Sequence, residues 1–278
     1  MFNPRRRPRG NLCASEPGTL KIWAPAERTQ MPMIRIRLIW LNTSCPPESI
    51  CCRLRRSTMN ENVSSQLMGQ ILKASPFLPS VTLKTADSWR FVGEFAERAG
   101  LQCVEVLLRT AHAERGVFQL RENFPQLKVG LGTVLTLEDY QKAIDCAADF
   151  AVSPGSIPAI LERAQSTKLA YIPGVMTPSE VMQAHAYGFW NTKLFPAGYL
   201  GETYIKSLEG PYPQMKYCVA GAVSEENWPA FAQFASVRSI SGTWIVPPDP
   251  LSEAADHDFI AKLEDRHMQF AKIKSAMK

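Results

Sequence analysis

The chain has 278 residues, 45% of them hydrophobic and 21% charged, ordinary values for a globular protein long enough for one barrel-sized domain or two smaller ones. No uninterrupted apolar stretch reaches the ~18 residues needed to cross a bilayer, so no membrane-spanning helix is expected. The formal net charge of +5 is unevenly held: residues 1–58 carry 11 Lys+Arg against 3 Asp+Glu, leaving 20 against 23 for residues 59–278. A net-acidic body without a basic stripe argues against a nucleic-acid partner.

The front segment opens with Arg5, Arg6, Arg7 and Arg9, carries Pro at 4, 8, 17, 25, 32, 46 and 47, and shows no sustained helical or alternating period. An Arg-rich, acid-poor start is compatible with an organellar transit peptide or a nucleic-acid arm. The abrupt change at Met59-Asn60-Glu61-Asn62 favours another reading, in which residues 1–58 are a disordered extension or lie upstream of a natural start at Met59. Two regions are therefore expected, 1–58 and a folded body over 59–278. Met1 to Trp23 lacks the compact apolar core of a secretory leader. Of seven cysteines, Cys13, Cys45, Cys51 and Cys52 fall in the front segment and Cys103, Cys146 and Cys218 far apart in the body. None shows zinc spacing, and the body cysteines sit in apolar contexts that suit small buried thiols in a reducing, cytoplasmic setting. His112, His185, His257 and His267 likewise fall at no metal-ligand spacing, so no metal is expected.

From residue 64 the pattern becomes regular. A helix is expected over 64–74, then strands over 78–83, 103–108, 128–131, 150–152, 169–172, 192–195, 216–219 and 239–241, centred about 20–25 residues apart as one strand, one helix and two short loops require. Between them, Asp87-Ser88 caps a helix over 89–99 that Gly100 ends. Thr136 caps a helix over 137–147, and Thr177-Pro178 opens one running to Gly188. Eight strand-helix units predict a (β/α)8 barrel over about residues 70–275, with a doubly wound open sheet as the rival. The helix at 64–74 would cover the barrel bottom.

In such a barrel chemistry collects at the C-terminal strand ends. In the second strand Glu105, Leu107 and Arg109 alternate onto one face. Later strands end in Gly130-Leu131-Gly132-Thr133, Ser153-Pro154-Gly155, Pro173-Gly174, Ala220-Gly221-Ala222 and Ser241-Gly242-Thr243-Trp244. Small residues after the last two strands expose backbone N–H groups suited to phosphate. Lys193, inside the apolar run Asn191-Thr192-Lys193-Leu194-Phe195-Pro196, stands out most. Burial disfavours an ammonium and favours the neutral amine, a nucleophile able to form a Schiff base with a ketone. A Glu105–Arg109 ion pair inside the barrel is the bland alternative for the second strand.

The runs Val104-Glu105-Val106-Leu107-Leu108-Arg109-Thr110, Val129-Gly130-Leu131-Gly132-Thr133-Val134-Leu135, Val152-Ser153-Pro154-Gly155 and Lys193-Leu194-Phe195-Pro196-Ala197 resemble the KDPG (2-keto-3-deoxy-6-phosphogluconate) and 4-hydroxy-2-oxoglutarate aldolase family, in order and with family-like spacing from Leu78 to Pro248. The resemblance implies a homotrimeric class I aldolase on a (β/α)8 barrel, cleaving KDPG to pyruvate and glyceraldehyde 3-phosphate without a metal or other cofactor. It implies Lys193 as the Schiff-base lysine and Glu105 as general acid/base. Arg109 and Thr133 would hold the pyruvate carboxylate, Pro154 and Phe195 would shape the wall, and the N–H groups of Gly221, Ala222, Gly242 and Thr243 would hold phosphate.

The departures concern the distal half of the site. Where the family usually has Pro-Thr-Gly-Gly, this chain has Val219-Ala220-Gly221-Ala222; the usual Gly-Gly-Ser-Trp is Ser241-Gly242-Thr243-Trp244; and Gly198 replaces the usual acidic residue after Phe-Pro-Ala. A different aldehyde partner is therefore open, including the galactonate-derived epimer of KDPG or 4-hydroxy-2-oxoglutarate. A phosphate-binding barrel without lyase activity, in which Lys193 is only a cation for anions, is the rival of another class.

Overall fold

The computed structural model describes residues 60–277. The front segment 1–58, with Cys13, Cys45, Cys51 and Cys52, lies outside the described residues. Helix α1 (Val63–Ala74) comes first, its free N–H groups met by the Asn62 side chain, which accepts from Ser65 N. Strand β1 (Phe77–Val81) follows, then α2 (Ser88–Arg98), β2 (Cys103–Leu107), α3 (Ala113–Asn123), β3 (Lys128–Gly132), α4 (Leu137–Asp145), β4 (Phe150–Val152) and α5 (Pro158–Gln165). The second half runs β5 (Ala170–Ile172), β6 (Gly174–Val175), α6 (Pro178–Ala186), β7 (Asn191–Leu194), α7 (Ala197–Leu200), α8 (Glu202–Glu209), β8 (Lys216–Val219), α9 (Trp228–Ala232), β9 (Val237–Gly242) and α10 (Glu253–Ser275). Thr136 and Thr177 each cap the following helix as expected, in boxes closed by Asp139 and Glu180, whereas the cap expected at α2 does not form, since the Asp87 side chain makes no capping bond.

All pairings are parallel, in the order β5-β4-β3-β2-β1-β9-β8-β7-β6. Nine strands rather than eight appear because Pro173, lacking an N–H, splits one stretch into β5 and β6. The two ends of the order are thus consecutive in sequence, and Lys193 N bonds Pro173 O at 2.9 Å across the break. The result is a nearly closed, TIM-like barrel of parallel strands with alternating helices. Pro173-Gly174 is not the strand end expected from sequence, since Gly174 pairs with Lys193 in register. Other boundaries move by a residue or two: the first strand begins at Phe77 and the last extends over Val237–Gly242.

Alternation along the strands divides the interior in two. Outward residues such as Val104, Val106, Tyr171, Leu194, Tyr217 and Val219 pack under the helices. Inward residues Leu78, Cys103, Phe150, Val152, Ala170, Ile172 and Cys218 fill the barrel bottom, which Met68 and Leu72 of α1 plug. The helix is pinned there by Ser65, whose hydroxyl accepts from Trp190 N and Asn191 N, and by Asn62, which donates to Tyr187 O. The inward position 130 of β3 is glycine, which leaves room for the Phe150 ring: a Cβ there would lie 2.1 Å from it. Above this apolar layer, toward the C-terminal strand ends, the inward positions become polar.

Candidate active site

Strand periodicity delivers Glu105 and Lys193 into the barrel: each stands two residues along the strand from an inward neighbour, on the same face. Glu105 is fully buried and Lys193 is 7% exposed. The Lys193 Nζ donates to Glu105 Oε1 at 3.2 Å and Oε2 at 3.3 Å. A buried ion pair persists only when its remaining lone pairs are met. Here Ser80, the register partner of Glu105 on β1, donates to Oε2 at 2.7 Å. Ser80 Oγ lies in turn 3.0 Å from Ser241 Oγ. Gly132 makes room for the carboxylate, since a Cβ at that position would sit 2.2 Å from Oε1.

A cavity of about 200 Å³ opens over this pair, lined by Ser80, Arg109, Lys193, Phe195, Ala220, Gly221, Ala222, Ser241, Gly242 and Thr243 among others. The Lys193 Nζ also stands 5.9 Å from the Phe195 ring centroid, on the ring face. Arg109 lies just past β2, exposed, with no ion pair among the described residues. The Glu105–Arg109 ion pair weighed from sequence does not form: the carboxylate goes to Lys193 and Ser80, leaving the guanidinium fork unengaged at the cavity edge. Thr133, at φ 65°, and Pro154 stand at the C-terminal ends of β3 and β4 but not among the cavity-lining residues.

At the far side, Gly221 (φ 79°) and Ala222 (φ 53°) turn through the left-handed region, and their N–H groups meet no protein acceptor among the described residues. Asn227 holds this turn by donating to Ala222 O at 3.0 Å while accepting from Ser224 N, and Trp244 Nε1 donates to Val223 O at 2.9 Å. The residue after Phe195-Pro196-Ala197 has to be glycine in this arrangement: a Cβ at Gly198 would lie 2.0 Å from Ala222 O. Two departures from the family pattern, Gly198 and Ala222, thus touch.

The thiols facing the barrel interior do not compete as nucleophiles. Burial pushes Cys218, the register neighbour of Lys193, up to about 12 even though the Lys193 charge opposes the shift, and pushes Cys103 up to about 12 as well. Both stay protonated near neutrality, and thiolate is the reactive form. Among the described residues no group of His, Cys, Asp and Glu is placed to hold a metal ion, and no helix is long and apolar enough to cross a membrane. Sequence reasoning passed over Ser80 and Ser241 as site residues. Serines in strands carry no local signal, and only their partners on neighbouring strands give them meaning.

The family described as "Aldolase: KDPG and KHG aldolase" matches residues 68–263. The KHG/KDPG aldolase of Escherichia coli (strain K12) is 32% identical over 204 residues, covering 73% of this chain and 95% of that protein. The 2-dehydro-3-deoxy-phosphogluconate aldolase of Pseudomonas aeruginosa is 32% identical over 178 residues, 64% of this chain and 81% of that one. Among solved structures, the KDPG aldolase of Legionella pneumophila, with pyruvate captured at low pH as a covalent carbinolamine intermediate, superposes with a TM-score of 0.64 at 31% identity, covering 70% of this chain and 94% of that one. With this match across most of its length, and a lysine and a glutamate paired at the C-terminal mouth of a TIM-like barrel, the chain belongs to the KDPG and KHG aldolase family.

Proposed function

We propose that the protein is a class I aldolase that cleaves 2-dehydro-3-deoxy-6-phosphogluconate to pyruvate and glyceraldehyde 3-phosphate through a Schiff base on Lys193. The observation that carries this reading is the buried contact of the Lys193 Nζ with both oxygens of Glu105 at 3.2 and 3.3 Å. Transfer of a proton from Nζ to the carboxylate leaves a neutral amine facing the cavity, ready to add to the C2 ketone. Glu105 then returns protons for loss of water from the carbinolamine. The protonated imine accepts the C3–C4 bonding pair, giving an enamine and the aldehyde as the C4 hydroxyl loses its proton. Protonation of the enamine at C3 and hydrolysis release pyruvate and restore Lys193.

Arg109 suits the pyruvate carboxylate by its planar fork of donors, with Phe195 on the cavity wall and Thr133 and Pro154 standing behind that lining at the ends of β3 and β4. The free N–H groups of Gly221 and Ala222, with those of Gly242 and Thr243, suit the phosphate. Incubation with pyruvate and borohydride should leave a pyruvate-derived mass on Lys193, and Lys193→Arg should abolish turnover, since arginine keeps the charge but forms no imine. An unmodified Lys193 under conditions that label a known class I aldolase, or turnover surviving in Lys193→Arg, would favour a phosphate-binding barrel without lyase activity.

Unphosphorylated 4-hydroxy-2-oxoglutarate is the second reading, favoured by the Ala222 methyl at φ 53° beside the anion-binding turn; the galactonate-derived epimer carries the same phosphate as KDPG and differs from it at C4. Cleavage rates on KDPG, its C4 epimer and unphosphorylated 4-hydroxy-2-oxoglutarate separate these. We assign the catalytic domain to residues 59–278 and count β5 and β6 as one bent strand of an eight-fold (β/α)8 barrel. A chain begun at Met59 should keep both melting temperature and activity. A homotrimer is supported by exposed apolar side chains after consecutive strands, Leu135, Leu137, Ile157 and Met176. Free, buried Cys103, Cys146 and Cys218 suit a cytoplasmic setting.

A further inference from the structure

Glu105 has a second set of partners that the reaction above leaves unused. Its Oε2 accepts from Ser80 Oγ at 2.7 Å, and Ser80 has only one hydroxyl proton to give. The 3.0 Å contact between Ser80 and Ser241 is therefore a bond donated by Ser241. The hydroxyls form a directed chain, Ser241 to Ser80 to Glu105, in a site where Ser80 is 8% exposed and Ser241 1%. Both serines line the cavity that holds Lys193, on its distal side beside Gly242 and Thr243. Ser241 stands where the family usually has glycine, and Ala220 stands where it usually has threonine. One hydroxyl is absent from the end of β8 while a different one reaches the same cavity from β9.

We propose that Ser241 and Ser80 form a hydroxyl relay that takes the proton of the substrate's C4 hydroxyl to Glu105, with Ser241 touching the leaving oxygen and Ser80 holding the carboxylate. This rests on the aldolase reading above and deepens it. As the C3–C4 bond breaks and its electron pair enters the iminium, the C4 O–H proton passes to Ser241 Oγ. The Ser241 proton passes to Ser80, and the Ser80 proton to Glu105 Oε2. The aldehyde leaves neutral, both serines end with one proton each, and Glu105 is left as the acid that can protonate the enamine. Ser241 is then a catalytic residue of the distal half-reaction and Ser80 a positioning residue acting through Glu105.

The two roles separate experimentally because exchange of the pyruvate methyl protons with deuterium needs Lys193 and Glu105 but no aldehyde. In Ser80→Ala both exchange and cleavage should fall, by roughly 10²-fold if most of the acid–base contribution depends on carboxylate placement. In Ser241→Gly, which installs the usual family residue, cleavage kcat should fall about tenfold or more while methyl exchange stays within about twofold. Ser80→Thr keeps a hydroxyl and should restore exchange, which guards against a folding defect in the alanine variant. Ser241→Gly cleaving at the parental rate, or exchange and cleavage falling equally in it, would overturn the relay. Absence of a borohydride-trapped pyruvate adduct in the parental protein would instead remove the aldolase reading itself.

Discussion

Gly132→Ala tests the placement of Glu105 most directly. A methyl group there would lie 2.2 Å from Glu105 Oε1, 2.6 Å from its Cγ and 2.7 Å from its Cδ, all far inside van der Waals contact. Gly132 lies in β3 outside the left-handed region, so the backbone accepts alanine and the clash falls on the carboxylate. Overpacking of a filled interior destabilises by ~1–3 kcal/mol. Turning Glu105 away also breaks charge-assisted bonds to Lys193 and Ser80, each contributing ~1.5–3 kcal/mol. Loss of positioned acid–base catalysis should lower kcat by roughly 10²–10⁴. Gly130→Ala is the matched control: Gly130 pairs with Glu105 in register, but its methyl would lie 2.1 Å from the Phe150 ring in the apolar barrel bottom and not against the carboxylate. Both variants should melt lower, by ~2–4 °C per kcal/mol lost. Only Gly132→Ala should lose kcat when rates are measured well below its melting point. Equal kcat in the two variants would refute the claim that Gly132 sets the carboxylate.

Ala222 holds φ at 53°, a conformation unfavourable by ~1–2 kcal/mol for a residue with a Cβ. Ala222→Gly should therefore raise urea-unfolding stability by about 0.5–1 kcal/mol after the glycine entropy is offset, whereas Gly198→Ala, driven against Ala222 O, should lower it. Lys274 is pushed down to about 8, first by burial and then by Arg238, so between about pH 8 and its unfolded value of 10.5 the unfolded chain binds more protons and stability rises with pH. Lys274→Met should flatten that rise: linkage between these values amounts to about 2 kcal/mol from pH 8 to 10, and solvent screening of a partly exposed ammonium reduces the loss seen in chemical denaturation to about 1 kcal/mol. A charge on the exposed apolar face tests the proposed self-association: Leu135→Asp, at a side chain 56% exposed, should shift sedimentation from the proposed trimer to monomer, and a parental protein that already sediments as a monomer would refute the trimer.

Local chemistry made much of this protein legible before any coordinates. Period-2 alternation in Cys103-Val104-Glu105-Val106-Leu107 specifies which residues share a face, because successive side chains of a strand point oppositely whatever the strand pairs with. The Thr136–Asp139 and Thr177–Glu180 boxes are complete within four residues, so their helix starts could be read directly. Lys193 was conspicuous because an ammonium in an apolar run needs a partner. Relations between distant residues were not legible. Lys193 lies 88 residues from Glu105, Ser80 lies 25 from Glu105 and 161 from Ser241, and no local pattern links them. Thr133 and Pro154 show the limit from the other side: their motifs were plain, yet they stand beside the cavity rather than on its lining. The sequence by itself determined which side chains face inward and where helices begin, since those follow from backbone geometry over a few residues. Only the tertiary structure decided that Pro173 divides a strand across the closure, that Gly132 is the cradle of a carboxylate, and that Ser80 joins Ser241 to Glu105. Register between parallel strands is set by closing the whole barrel, a condition that no single segment carries.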